Sequence, residues 1–179
     1  RIDEMIFQQF ADAHDIKVNC WGVKFVFQRE LEVEIKYKAD LTLAEAEKEK
    51  PIGFVAKRID FDNFLVNFVR KESLIDFREG IQIKDIQKQE GGFILKTKDG
   101  STTIQCQLLI AADGAQSQFA RKYGGIIIDP KHYAGSVRAY FSNVKDLSPF
   151  NDIEIHFIKE FAPGYLWIFP LPNGQANVG

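Results

Sequence analysis

The sequence of 179 residues predicts an α/β fold, taken broadly to include α+β, with a buried parallel sheet and a separate antiparallel sheet. Three patterns lead to this prediction. The run 108–112 is continuously apolar, which is typical of a strand buried on both faces between layers of helices. Other runs alternate between apolar and polar residues, as half-buried antiparallel strands do. Apolar residues at helical spacing occur between these runs.

The first fifty residues predict a helix followed by two antiparallel strands. The helix is indicated by apolar residues at helical spacing, namely Ile2, Met5, Ile6, Phe10 and Ala11. Alternation over residues 23–27 and 31–37 predicts two strands with one face in water. Thr42 and Glu45 have the spacing of a capping box, which predicts the start of a short helix.

The clearest helix of the chain begins at Asp60. Its wide apolar stripe consists of Phe61, Phe64, Leu65, Phe68 and Val69. We expect Asp60 to cap the helix and Arg70 with Lys71 to complement the helix dipole at its end. Stripes of this kind usually pack on the core, so the stripe alone does not predict a binding site.

Strands dominate the rest of the chain. Residues 81–86 and 93–97 predict two strands, and Asp99-Gly100 predicts a type I′ turn into a third. This third strand alternates as far as Cys106 and is continuously apolar soon after it. It should therefore leave an exposed β-ribbon and enter the buried parallel sheet.

Three later runs predict the second, antiparallel sheet. They cover residues 137–141, 153–157 and 165–170, and the last of them is expected to be the final strand. In a strand, Tyr165, Trp167 and Phe169 lie on one face. From the residues alone, these aromatic rings can form the wall of an apolar tunnel or the inner face of a sheet packed on helices.

Composition and charge exclude several classes of function. Hydrophobic residues make up 45% of the chain, which is enough to fill a core. The formal net charge is −2, with 23 basic and 25 acidic side chains, so no bias toward nucleic acid is visible. Basic residues are scattered, and no apolar run approaches the ~20 residues of a transmembrane helix.

Cysteines and histidines do not predict a reactive or metal site. Cys20 and Cys106 fall on predicted strands, which indicates buried free thiols in a reducing, cytoplasmic compartment. The three histidines, His14, His132 and His156, are far apart and lack the spacing of metal ligands.

The end of the apolar run is the strongest candidate for a site. Gly114 permits a tight turn there, and Ser117 suits the N-cap of a following helix. Ligands of open α/β sheets bind at the carboxyl ends of strands, where Asp113 can accept hydrogen bonds from hydroxyl groups. An ordinary turn between a strand and a helix explains the same residues equally well.

Three segments resemble motifs of one flavoprotein family. Residues 112–117 resemble Ala-Asp-Gly-x-x-Ser, the second flavin fingerprint of the p-hydroxybenzoate hydroxylase-like superfamily of FAD-dependent monooxygenases and reductases. Residues 58–65 resemble the Arg-x-x-Phe-Asp-x-x-Leu signature that precedes the helix lining the flavin cleft. Residues 165–170 resemble the Tyr-x-Trp-x-Phe-Pro motif of the geranylgeranyl reductase family.

The resemblance also implies which parts of the family fold the sequence contains. The glycine-rich phosphate loop Gly-x-Gly-x-x-Gly is absent from it. We therefore expect a central fragment, inactive alone, with residues 1–57 in the substrate-covering sheet and a connecting helix. Residues 58–130 would form part of the FAD/NAD(P)-binding domain with its β-ribbon excursion, and residues 131–179 the antiparallel substrate-binding sheet.

The resemblance implies two sets of site residues. Arg58, Asp113 and Gly114 would bind FAD, with Arg58 on the pyrophosphate. Substrate would contact the residues of the last motif, namely Tyr165, Trp167, Phe169 and Pro170. No catalytic residue is assigned from the sequence, because in flavin chemistry the cofactor transfers the hydride.

The implied activity is reduction of C=C bonds in an isoprenoid or lipid substrate. An external donor such as NAD(P)H would reduce the FAD, and the lipid substrate would bring a cytoplasmic enzyme into peripheral contact with the membrane. A flavin-dependent monooxygenase or halogenase acting on an aromatic or polyene substrate is the alternative, because the Asp-Gly fingerprint is shared across the superfamily. A non-catalytic lipid-binding or interaction module is the third hypothesis.

Overall fold

The computed structural model describes residues 4–13, 15–46, 48–51, 53–127, 129–132 and 134–179. The chain forms two compact units. Unit 1 consists of Arg1–Glu72 and Ser136–Gly179, and unit 2 of Ser73–Gly135. Two residues of the sequence predictions, Ile2 and His14, lie outside the described residues. The helix after residue 57 groups with unit 1, and the predicted domain divisions at residues 58 and 131 stay predictions about the whole protein.

The first part of unit 1 contains three helices and four strands. The helices are α1 (Glu4–Ala11), α2 (Leu43–Ala46) and α3 (Arg58–Val69). The strands are β1 (Lys17–Cys20), β2 (Gly22–Phe27), β3 (Leu31–Lys36) and β4 (Gly53–Ala56). The predicted helices and the predicted β2–β3 pair are confirmed.

Unit 2 consists mainly of a three-stranded ribbon and a helix. Its elements are β5 (Ile83–Gln89), β6 (Gly92–Thr97), β7 (Thr103–Cys106), α4 (Gln118–Gly124) and a 3-10 turn at Pro130–His132. The strands pair antiparallel in chain order, as the alternating pattern predicts.

The chain then returns to unit 1 with four strands. These are β8 (Ala139–Phe141), β9 (Ile153–Phe157), β10 (Leu166–Leu171) and β11 (Gln175–Val178), with a 3-10 turn at Lys159–Phe161. They join β2 and β3 in a six-stranded sheet of order β3-β2-β9-β10-β11-β8. All neighbours in it are antiparallel except β2 and β9, which are parallel.

Strand register gives this sheet one aromatic and aliphatic side, which we call the apolar face. Its members include Phe25, Phe27, Val33, Ile155, Phe157, Tyr165, Trp167 and Phe169. Ring centroids follow one another along it at 5.1 Å for Phe27–Phe157 and 6.2 Å for Phe157–Tyr165. The opposite face is charged near β2, where Lys24 contacts Glu32 at 2.8 Å.

A second layer of unit 1 is held together by aromatic packing around Phe10. Strands β1 and β4 form an antiparallel pair beside α1 and α3. The ring of Phe10 in α1 lies 5.8 Å from Phe54 in β4, and 4.9 and 5.2 Å from Phe61 and Phe64 in α3. Phe61 and Phe64 of the apolar stripe predicted for α3 therefore pack on a neighbouring helix, as such stripes usually do.

The start of α3 differs from the prediction. The helix begins at Arg58, its N-cap is Lys57, and no side chain caps it. Asp60 consequently lies within the first turn instead of capping it. Its charge is still favourable there, because the first turn carries the positive end of the helix dipole.

The turn between β6 and β7 also differs. Among Lys98–Ser101, only Gly100 has a positive φ, of 72°. A type I′ turn needs positive φ at both central residues, so the predicted Asp99-Gly100 type I′ turn is wrong. The loop is longer and is stabilised by Asp99, whose carboxylate accepts hydrogen bonds from the Ser101 amide at 3.1 Å and hydroxyl at 2.7 Å.

The buried parallel strand predicted at residues 108–112 is not formed. The β7 ladder ends at Cys106, and Leu108 and Ile110 are 75% and 82% exposed. A strand buried on both faces requires hydrogen-bonded neighbours, and no segment of the described chain pairs with these residues. The mixed α/β class is confirmed, but its parallel sheet does not form within the described ranges.

Candidate functional site

Unit 1 contains a cavity of about 580 Å³. This volume is typical of small-molecule sites. One wall comes from the apolar face of the six-stranded sheet and the other from α1, β4 and α3. The lining residues are Phe10, Phe54, Ala56, Arg58, Phe61, Arg138, Trp167, Phe169 and Asn177. Most of the wall is aromatic, with a few polar groups among the rings.

The sheet wall is fixed by contacts of Trp167. Its ring lies 6.2 Å from Phe169 and 6.1 Å from Tyr165. Its indole Nε1 donates a hydrogen bond to Asn177 Oδ1 at 3.4 Å. The indole is therefore oriented by a polar partner on β11 while its ring surface contributes to the cavity.

Tyr140 does not line the cavity itself but contacts two of the polar residues that do, Arg58 and Arg138. Its hydroxyl oxygen accepts hydrogen bonds from the Arg58 amide at 3.4 Å and from Arg138 Nη1 at 2.6 Å. The Arg58 side chain forms an ion pair with Asp62, with Nε 2.7 Å from Oδ1. The guanidinium of Arg138 lies 5.2 Å from the centre of the Tyr140 ring.

Three residues predicted from the sequence meet in this cavity, namely Arg58, Trp167 and Phe169. Tyr165 continues the same face but is 52% exposed and does not line the cavity. Pro170 is fully buried and points to the opposite side of β10 from Phe169. Its position is that of a core residue, without direct contact to the cavity.

The other two predicted residues, Asp113 and Gly114, lie in unit 2. Gly114 has a φ of +81°, which only glycine adopts readily, and a Cβ there would meet nothing within 4 Å. Ser117 caps α4 as predicted, because its Oγ accepts a hydrogen bond from the Ala120 amide at 3.0 Å. Asp113 is exposed after an irregular segment, so its predicted place behind a buried strand is wrong. Its carboxylate remains accessible to hydroxyl donors.

Sequence reasoning missed several residues of the cavity. Asn177 lies on β11, which follows a turn at Asn173-Gly174 with φ of 60° and 64°. Asn-Gly is the strongest short hairpin signal and would have predicted this strand. Because β11 follows β10 in the chain, the prediction that residues 165–170 form the final strand is wrong. Phe10 and Phe54 carry no such signal, because aromatic residues in a helix and a strand are ordinary core residues.

Buried polar groups also occur outside the cavity. Lys17 is 3% exposed, and burial lowers its pKa while Nζ donates to Asn19 Oδ1 at 2.8 Å. Cys20 and Cys106 are free thiols, but only Cys20 is buried as predicted, and Cys106 is half-buried. Among the described residues, no group of three or more His, Cys, Asp or Glu side chains has the arrangement of a metal site. No described helix has the length and apolar character needed to cross a membrane.

Known proteins with similar sequence or structure include lipid reductases, a reductase-like protein and a probable FAD-dependent monooxygenase. No family model matches the chain. Digeranylgeranylglycerophospholipid reductase 2 of Methanothermobacter thermautotrophicus is 34% identical over 138 residues, which cover 73% of this chain and 35% of that protein. The chain thus spans about a third of this relative's length.

Solved structures extend the likeness to nearly the whole chain. A geranylgeranyl bacteriochlorophyll reductase-like protein of Thermoplasma acidophilum matches 99% of this chain and 44% of its own, with a TM-score of 0.72 and 21% identity. PqsL of Pseudomonas aeruginosa, described as a probable FAD-dependent monooxygenase, matches 93% of this chain and 43% of its own, with a TM-score of 0.61 and 12% identity. These likenesses confirm the fold that the three motifs predict.

Proposed function

We propose that this chain, which is similar in sequence and fold to geranylgeranyl reductases, forms the central part of an FAD-dependent reductase of isoprenoid lipids. The observation that carries the proposal is the aromatic cavity. Trp167 and Phe169 of one family motif form its sheet wall, and Arg58 of a second motif lies on the facing wall.

The cavity suits an apolar chain better than a compact polar substrate. Its wall consists mainly of the rings of Phe10, Phe54, Phe61, Trp167 and Phe169. Removing apolar surface from water gives about 25 cal/mol per Å², so a polyprenyl chain gains free energy along its whole buried length. The residues of this chain would hold and orient such a substrate and exclude water from it.

The proposed cofactor is FAD, and the exposed groups of unit 2 fit its binding. Asp113 is an accessible carboxylate that can accept hydrogen bonds from ribityl or ribose hydroxyls, and the open space at Gly114 allows close approach of the backbone. Bound FAD would supply hydride transfer, after reduction by an external donor such as NAD(P)H.

The test is turnover by the purified full-length protein. Under anaerobic conditions, with chemically reduced flavin, a geranylgeranyl lipid should gain two mass units for each double bond that is reduced. Stoichiometric oxidation of the flavin should accompany this gain. Binding of the lipid without any change in its mass, in a protein that retains no flavin, would instead support the non-catalytic lipid-binding hypothesis.

A monooxygenase is the second candidate function. The likeness of the fold to PqsL, described as a probable FAD-dependent monooxygenase, is the reason to test it, with a TM-score of 0.61 over 93% of this chain. The same assay in air separates the two candidates. A product that contains an atom from labelled oxygen, and that forms only in air, would overturn the reductase proposal.

A further inference from the structure

We propose that Arg138 and Tyr140 bind the phosphate group of an anionic isoprenoid substrate at the cavity. This inference rests on the proposed function, because it assigns the polar end of the same substrate. The ligand chemistry is a phosphate oxygen in contact with a guanidinium and a phenol hydroxyl.

The first observation is that the charge of Arg138 is uncompensated. Its guanidinium lines the cavity, donates to the hydroxyl of Tyr140 at 2.6 Å and lies 5.2 Å from that ring. Within the described ranges it has no carboxylate within 4.0 Å, whereas Arg58 is paired with Asp62 at 2.7 Å. Arginine in this situation keeps donors available for a ligand anion.

The second observation concerns the hydroxyl of Tyr140. Its oxygen accepts two hydrogen bonds, one from Arg138 and one from the amide of Arg58 at 3.4 Å. The hydroxyl proton has no acceptor among the described residues, so it is free to donate to a ligand oxygen. Tyr140 both positions Arg138 and offers a donor of its own.

The third observation is the local excess of donors over acceptors. Helix α3 begins beside Tyr140, and its N-cap, Lys57, makes no capping hydrogen bond through its side chain. The ammonium of Lys57 lies 5.7 Å from the Tyr140 ring. The start of a helix carries partial positive charge, which favours an anion, and the Arg58 amide there already donates to the Tyr140 hydroxyl.

Strand register places this polar group next to the apolar wall. Tyr140 pairs with Asn177, which pairs with Phe169 in the next strand. By the same register, Arg138 lies opposite Gly179, whose backbone is hydrogen-bonded to that of Trp167. An apolar chain on Trp167 and Phe169 can therefore end in a phosphate at Arg138.

Two phosphate sources share this chemistry, a lipid phosphate and the FAD pyrophosphate. We assign the lipid phosphate because Arg138 and Tyr140 stand on the same sheet as the aromatic wall.

The full-length protein is tested with a polyprenyl phosphate and the polyprenyl alcohol of the same chain length. The variants are Arg138→Gln, Arg138→Lys and Tyr140→Phe. Arg78→Gln is the matched control, because it also removes one positive charge, and Arg78 is paired with Asp76 in unit 2.

Arg138→Gln should raise KM for the phosphate by at least about tenfold, the effect of losing one charge-assisted hydrogen bond, and leave KM for the alcohol unchanged. Arg138→Lys should recover part of the loss, Tyr140→Phe should show a smaller effect in the same direction, and Arg78→Gln should behave as wild type. Flavin content should stay constant in all variants.

An equal rise in KM for the phosphate and for the alcohol would overturn the proposal and indicate a structural role for Arg138. Loss of flavin would assign the group to the cofactor pyrophosphate instead. Binding of each lipid is measured by quenching of tryptophan fluorescence, so that this test does not depend on turnover. Arg138-dependent binding of the phosphate without reduction would support the inference while contradicting the proposed reductase, and binding of neither lipid would contradict both.

Discussion

Trp167 lies across the backbone of Gly179, and the two residues are paired through both of their backbone hydrogen bonds. Trp167 N donates to Gly179 O at 2.8 Å, and Gly179 N donates to Trp167 O at 3.2 Å. A Cβ at residue 179 would lie 2.3 Å from Trp167 Cζ2 and 2.6 Å from the carbonyl oxygen of Val137. The absence of a side chain at Gly179 is therefore what allows the indole to form the wall of the cavity.

Gly179→Ala should displace the indole and damage the cavity. Overpacking of this kind costs about 1–3 kcal/mol, so we expect a lower urea midpoint for the full-length protein, a changed near-UV circular dichroism signal and reduced turnover. Gly53→Ala is the matched control, because a Cβ at Gly53 meets nothing within 4 Å. Equal effects of the two substitutions would show that the close contact with Trp167 does not constrain this position.

Local patterns in the sequence were sufficient for elements stabilised by near neighbours. The capping box is an example, because Thr42 and Glu45 hydrogen-bond each other at the start of α2, with the Thr42 amide 2.9 Å from Glu45 Oε2. The alternating strands β2 and β3 and the Ser117 cap follow from equally local rules. Each of these features depends on residues within a few positions of one another.

Features that depend on distant partners could not be predicted in this way. The run 108–112 is as apolar as a buried strand, yet burial requires neighbouring strands that local hydrophobicity does not supply. The cavity is similar, because Phe10, Arg138 and Asn177 come together only through the order of the strands and helices. Family resemblance identified Arg58, Trp167 and Phe169, but it did not identify Arg138 and Tyr140 beside them.

Asp99 should titrate at unusually low pH. Hydrogen bonds from Thr97 and Ser101 lower its pKa from 3.8 to about 2. Because the folded-state pKa is depressed, the stabilising contribution is complete above pH 3.8 and is lost as the pH falls through about 2. At pH 3, the carboxyl carbon of Asp99 should therefore still show the ionised chemical shift in an NMR titration. Ser101→Ala should move the midpoint up toward 3.8, and an unchanged midpoint would contradict the role of this hydroxyl.

Cys20 should react far more slowly than Cys106 with a thiol reagent. Cys20 is 4% exposed, and burial raises the pKa of its thiol, so both access and the thiolate fraction are reduced. Peptide mapping after a short pulse of labelling at neutral pH should find modification at Cys106 first. In urea, the two thiols should be modified at similar rates. Rapid labelling of Cys20 in the native protein would show that this part of unit 1 opens readily.

Trp167→Ala should alter substrate preference more than flavin binding. Removing the indole deletes part of the apolar wall and its contacts with Tyr165 and Phe169. Turnover of long prenyl chains should fall more than turnover of short ones, because only long chains extend over the lost surface. Trp167→Phe keeps a ring and should retain most of the activity. A uniform loss for all chain lengths, with normal flavin content, would argue against contact between Trp167 and the chain.

Asp113→Ala should have the opposite profile and weaken retention of FAD. The carboxylate is accessible, and hydrogen bonds to a charged acceptor contribute roughly 1.5–3 kcal/mol, which is about a tenfold to hundredfold change in affinity. Flavin absorbance per protein after gel filtration of the full-length enzyme measures this directly. Asp129→Ala, at another exposed carboxylate of unit 2, is the matched control and should keep its flavin. If Asp113→Ala also kept its flavin, the Asp113-Gly114 segment would be a structural turn before α4, and the cofactor contacts would have to come from other residues.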